Sequence, residues 1–132
     1  MNIVVDTSII IAVILNEKSK KKIVQLTKGA NLFAPASLHW EIGNAFSAMF
    51  KIGRLKFDKA LKALKYYEEI PIRFTELDLE SVLEIANRHK LYAYDVYFIT
   101  AAKELNAPLI SLDRSLLEVA KKEGQKIIEV LK

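Results

Sequence analysis

The first apolar positions of the chain are contiguous, Ile3-Val4-Val5, and they stop at Asp6-Thr7-Ser8 before a second run, Ile9-Ile10-Ile11, resumes. A short β-branched run of this kind reads as a parallel strand buried on both faces, so Asp6 falls at its carboxyl end. Thr7 to about Asn16 and about Lys18 to Lys28 then read as two helices, the second closed by Gly29. Leu32 to Ala34 reads as a second strand. From Ser37 onward Leu38, Ile42, Ala45, Phe46 and Met49 follow a helical stripe that Gly53 ends. Asp58 to about Tyr67 is a further amphipathic helix, and Ile72 to Phe74 a third strand. Leu79 to about His89 and Asp95 to Leu105 read as helices, the latter with Phe98, Ala101, Ala102 and Leu105 on one face. Pro108 introduces a strand over Leu109 to Ser111. Leu116 to Glu123 is a helix capped by Gly124, and Ile127 to Val130 the last strand. Strands alternating with helices imply right-handed crossovers and a three-layer α/β/α domain with a central, mostly parallel sheet.

Composition narrows the class. The chain has 132 residues, 52% of them hydrophobic, which is one domain's worth of core, so residues 1 to 132 read as a single domain. Its net charge of +4 suits a polyanionic partner without requiring one. There is no cysteine, and the two histidines make no zinc spacing, which excludes a disulfide scaffold and thiolate chemistry. The apolar run Ile9 to Leu15 is too short to span a bilayer and lacks a basic leader, so no membrane partner is expected and the default location is cytoplasmic. Abundant lysine and glutamate with little glutamine lean toward a thermophilic source.

Of five aspartates, Asp6, Asp95 and Asp113 sit where a strand or loop feeds a helix. Each alone reads as a helix N-cap. Together they say more, because Asp6 and Asp113 both follow β-like runs and so meet at the sheet's carboxyl edge, where open α/β sheets bind ligands. Asp95 lies on the stripe of Phe98 and Ala102 and is expected to face inward, with no lysine or arginine on that face. Glu41 lies in the apolar segment Leu38 to Phe46, with Asn44 three residues on. Four carboxylates sharing one cleft repel unless a cation sits between them, and oxygen ligands without His or Cys favour Mg²⁺ or Mn²⁺ over zinc.

Val4-Val5-Asp6-Thr7-Ser8, Glu41-x-x-Asn44, Tyr94-Asp95-x-x-Phe98-x-x-Ala101-Ala102 and Leu109-Ile110-Ser111-Leu112-Asp113 together resemble the PIN-domain ribonucleases, and among them the VapC-like toxins of toxin–antitoxin pairs. The pieces span nearly the whole chain in the family's order. The resemblance implies an acidic metal-binding quartet of Asp6, Glu41, Asp95 and Asp113, with Ser8, Asn44 and Ser111 as supporting polar residues. Ser111 stands where many members carry threonine, and it keeps the hydroxyl. One or two Mg²⁺ (or Mn²⁺) ions held there would activate a water for in-line attack on an RNA phosphodiester, leaving 5′-phosphate and 3′-hydroxyl ends. The resemblance also implies a homodimer neutralised by an antitoxin protein, an expectation that the apolar Trp40 and Phe50, beyond one helix's core stripe, support.

Arg114 and Tyr94, with Arg88, Lys90, Tyr92 and Tyr97, are candidate RNA contacts, although tyrosines at such spacings commonly serve packing. His39 and His89 read as helix-surface residues, and Lys18 to Lys22 as a solvated helix face. Three other readings remain. A noncatalytic RNA-binding or assembly module could use the same fold. A receiver-like phosphoacceptor needs an aspartate ending its central strand, and Ile72-Arg73-Phe74-Thr75 offers none; a haloacid-dehalogenase-type phosphatase needs one two residues after Asp6, where Ser8 stands.

Overall fold

A computed structural model of the chain describes residues 1–131. Its central strand is β1 (Asn2–Val5), whose Ile3, Val4 and Val5 are wholly buried. The chain continues through α1 (Thr7–Ile14), α2 (Lys20–Thr27), β2 (Asn31–Pro35), α3 (Leu38–Lys51), α4 (Phe57–Glu69) and β3 (Ile72–Thr75). It then forms α5 (Leu79–His89), α6 (Ala93–Leu105), β4 (Leu109–Ser111), α7 (Arg114–Lys122) and β5 (Ile127–Glu129). The sheet order is β3-β2-β1-β4-β5, and each neighbouring pair is parallel. This is the expected three-layer architecture. α1 packs with α2, α3 and α4, while α6 packs with α5 and α7, the two groups covering opposite faces as right-handed crossovers require.

The strand order decides where a ligand can bind. From β1 the chain winds outward to β2 and β3, then returns to place β4 on the other side of β1. The connections after β1 and β4 therefore diverge to opposite faces, opening a crevice between them. The register, Val4 beside Leu109 and Val5 beside Ile110, brings Asp6 and Ser111 side by side at its mouth. A receiver-like reading fails on the same fact, since β3 is an edge strand here rather than a central one.

Most element boundaries agree with the pattern to within two or three residues, and the differences have local causes. α1 stops at Ile14 because Asn16 adopts φ 55°, in the left-handed region. α6 starts at Ala93, two residues before the expected Asp95, because extended Tyr92 is its N-cap. α5 and α6 end on left-handed Lys90 and Asn106, which carry no glycine signal. Glu123, just past α7, accepts hydrogen bonds from Arg88 and Lys103 and bonds His89 at 2.6 Å, tying α5 and α6 to the end of α7. No helix among the described residues is long and apolar enough to cross a membrane.

Candidate active site

At the crevice lies a cavity of about 330 Å³ lined by Asp6, Glu41, Asp95 and Asp113. Each carboxylate arrives on a different element: the exit of β1, the first turn of α3, the first turn of α6 and the exit of β4. Thr7, Ser8 and Tyr94 add polar atoms to the lining, and Ile11, Ala45, Phe98 and Leu116 form apolar wall.

Asp6 is the fixed point. It is 5% exposed, and both its oxygens are engaged. Oδ1 accepts from the Ser8 hydroxyl at 2.6 Å and from the Ile9 amide at 3.2 Å, while Oδ2 accepts from the Ser111 hydroxyl at 2.6 Å. Each serine also accepts from the chain beyond β4: Leu112 N donates to Ser8 Oγ at 3.0 Å, and Asp113 N to Ser111 Oγ at 2.9 Å. Two hydroxyls thus link the exits of β1 and β4 and hold Asp113 beside Asp6. Asp6 and Asp113 are also true N-caps, accepting from Ile9 and Leu116 amides. Capping and site membership coexist in both, since the cap bond occupies one lone pair and leaves the charge in the cavity.

Asp95 departs from expectation twice. It sits inside the first turn of α6 rather than capping it, and it is exposed rather than turned inward. α6 buries Val96 and Phe98 to Ala102, so the expected Phe98, Ala101 and Ala102 stay in the core while Asp95, in the first turn, stands on the open rim of the cavity. Ala45 rather than Asn44 joins Glu41 in the lining; Asn44 is exposed. Arg114 is exposed and lines a different cavity, with Glu118 and Glu129. Tyr94 is 54% exposed on the rim and meets Tyr97 edge-on, and Tyr92 is 83% exposed, so neither fills core. His39 is exposed, as expected, and bonds Tyr67; His89 is partly buried against Glu123.

Two participants escaped the sequence reading. Ser37 Oγ donates to Glu41 Oε2 at 2.9 Å, an i,i+4 pair visible in the spacing once the helix start is known. Thr7 Oγ1 is buried in the lining without a hydrogen-bond partner of good geometry, although it lies near enough to Glu41 to favour its charged form slightly.

Electrostatics mark this cavity as strained. Burial raises the Asp6 pKa, with a further push from Asp113 that its three hydrogen-bond donors oppose. Burial lifts Glu41 to about 7, aided by Asp6 and Asp95. Asp95 is raised by desolvation and by Asp113. Among the described residues every ion pair involves Glu123, so none of these carboxylates has a cationic side chain as partner. Four carboxylates, an orphan hydroxyl and no compensating Lys or Arg form a donor set suited to a hard divalent cation. The set is open, however: among the described residues no three His, Cys, Asp or Glu side chains are drawn close enough to hold one ion.

Known structures share this frame. PAE2754 from Pyrobaculum aerophilum aligns with a TM-score of 0.74 at 24% identity, over 98% of this chain and 92% of that one. VapBC2 from Rickettsia felis, bound to a DNA fragment from its promoter, aligns at 0.67 and 11% identity over 98% of both chains. VapBC-1 from nontypeable Haemophilus influenzae aligns at 0.65 and 20% identity over 100% of both. A search of curated protein sequences found no match. The family model of the PIN domain matches residues 3–122. That match runs from the strand that delivers Asp6 to the end of the helix that Asp113 caps, so it takes in the whole cavity, and the chain belongs to the PIN-domain family.

Proposed function

We propose that this protein is an Mg²⁺- or Mn²⁺-dependent endoribonuclease, the toxin of a toxin–antitoxin pair. The observation that carries the proposal is the convergence of Asp6, Glu41, Asp95 and Asp113 on one cavity without a cationic partner. These four would hold one or two ions, which when bound supply Lewis-acid polarisation of the phosphodiester and lower the pKa of the attacking water. The protein's own share is placement. Ser8 and Ser111 keep Asp6 immobile and ionisable, and the same hydroxyls set Asp113 against it. Glu41, with a pKa near 7, would give up its proton as a cation arrives. Apolar Phe98, Ile11 and Leu116 exclude water from one side of the reacting group. Tyr94 on the rim would stack on a base beside the scissile bond.

Cleavage of single-stranded RNA that requires Mg²⁺ or Mn²⁺ is the expected result, and undiminished cleavage in excess EDTA would refute it. Absence of cleavage with either ion would favour the noncatalytic RNA-binding module. The antitoxin and the homodimer belong to the same proposal. They are supported by the VapBC neighbours in fold and by Trp40, a large apolar side chain left 72% exposed on α3. A monomer mass by light scattering at micromolar concentration would refute the dimer, and unaffected growth on expression alone would refute the toxin.

A further inference from the structure

A larger cavity lies elsewhere, a groove of about 770 Å³ where the end of α1 meets the α3–α4 turn. Lys20, Arg54, Lys56, Lys59 and Lys62 line it against a single carboxylate, Glu17. Among the described residues none of these five cations is paired with a carboxylate. Lys56 caps α4 without a side-chain bond, so the unfilled amides of that helix's first turn add positive potential beside Lys59. Asp58, in the same turn, lines an adjacent cavity that Lys62 also borders, without forming an ion pair among the described residues.

The groove is in line with the acidic cavity. On α1, Ser8 and Ile11 line the acidic end, and Val13 to Leu15 the basic one. On α3, Glu41 and Ala45 line the first, and Met49, one turn further, the second. At 1.5 Å per residue Met49 lies about 6 Å along α3 from Ala45 and about 12 Å from Glu41, so the two sites adjoin. A polyanion cannot gain affinity from a carboxylate cavity, so a strand delivering one phosphodiester there needs its cations at a distance. Lys56, Lys59 and Lys62 recur at three-residue intervals along one face of α4, forming a ladder of positive charge. Met49 and half-exposed Tyr66 add apolar surface for a base.

We propose that this groove holds the phosphate backbone of single-stranded RNA a few nucleotides from the bond that is cut. The inference rests on the ribonuclease reading. Continuity with the acidic cavity favours a substrate strand over an acidic protein segment as the occupant.

The test is fluorescence anisotropy of a labelled single-stranded oligoribonucleotide of about 12 nucleotides in EDTA, titrated over a range of salt concentrations. Lys56→Gln/Lys59→Gln/Lys62→Gln should flatten the slope of log affinity against log salt by about 2, at roughly 0.7 per lost phosphate contact. Lys18→Gln/Lys21→Gln/Lys22→Gln, on α2 and the turn before it, should leave the slope unchanged. All six lysines project from the surface, and urea midpoints equal to wild type would verify folding. Equal flattening by both triples would reduce the effect to net charge and overturn the proposal. An unchanged slope in the α4 variant, with lost binding of poly-glutamate, would assign the groove to a protein segment and overturn it too. The two readings separate cleanly. RNA binding that depends on the α4 lysines in a protein that never cleaves supports the groove and refutes the nuclease; Mg²⁺-dependent cleavage with an unchanged slope does the reverse.

Discussion

Replacing Glu41 with glutamine tests the electrostatics of the cavity without disturbing its shape. Glutamine keeps an oxygen to accept from Ser37, so the change removes charge and little else. Burial, then Asp6 and Asp95, lift the Glu41 pKa from 4.5 to about 7. A folded-state pKa above the unfolded value means the native protein binds the proton more tightly. Stability is then highest below about pH 4.5, falls as pH rises, and carries its full penalty above about pH 7. If wholly realised that gap is worth about 3 kcal/mol. Solvent on the open side of the cavity screens it, leaving about 1.5 kcal/mol. Without divalent ions, Glu41→Gln should therefore melt about 5 °C above wild type near pH 8 and alike near pH 4. Saturating Mg²⁺ should reverse the order. Wild type gains about 2.7 kcal/mol at a hundredfold excess over the dissociation constant, and the variant much less. Cleavage should be lost in the variant. Paired thermal melts at the two pH values, with EDTA and with Mg²⁺, measure all of this. A variant less stable than wild type at pH 8, or equal Mg²⁺ shifts in both, would refute the shared acidic site.

Ser111→Ala should destabilise the protein by about 1 to 3 kcal/mol in urea titrations, because it removes a donor to buried Asp6 and leaves the Asp113 amide without its acceptor. A loss below about 0.5 kcal/mol would show that the serine does not join the two strand exits. Asp113→Asn separates the two roles of that residue. Asparagine is an equally good N-cap, so the urea midpoint in EDTA should stay at or above that of wild type, while Mg²⁺-dependent cleavage falls more than about a hundredfold. Retained cleavage would leave Asp113 a cap alone.

The periodicity of apolar residues was enough to place the strands and helices and hence the layered architecture. Burial imposes a continuous run on a central parallel strand and a 3.6-residue stripe on a covering helix, as Ile3-Val4-Val5 and Leu38-Ile42-Phe46 show. The same patterns bring Asp6 and Asp113 to the end of a strand, since strand ends are where apolar runs give way to polar residues. Sequence spacing could not say that β4 lies against β1 in the register that sets Ser111 beside Asp6, because register depends on partners 105 residues apart. Nor could it place Asp95. It stands exposed in the first turn of a helix that begins at Ala93, after an extended Tyr92 whose side chain makes no cap bond and so leaves no signature. The left-handed Lys90 that ends α5 is equally silent in sequence, since lysine has no preference for that region. Which carboxylates exist is written in the chain; how near they come, and so how strongly they repel, is decided by the packing of elements far apart in sequence.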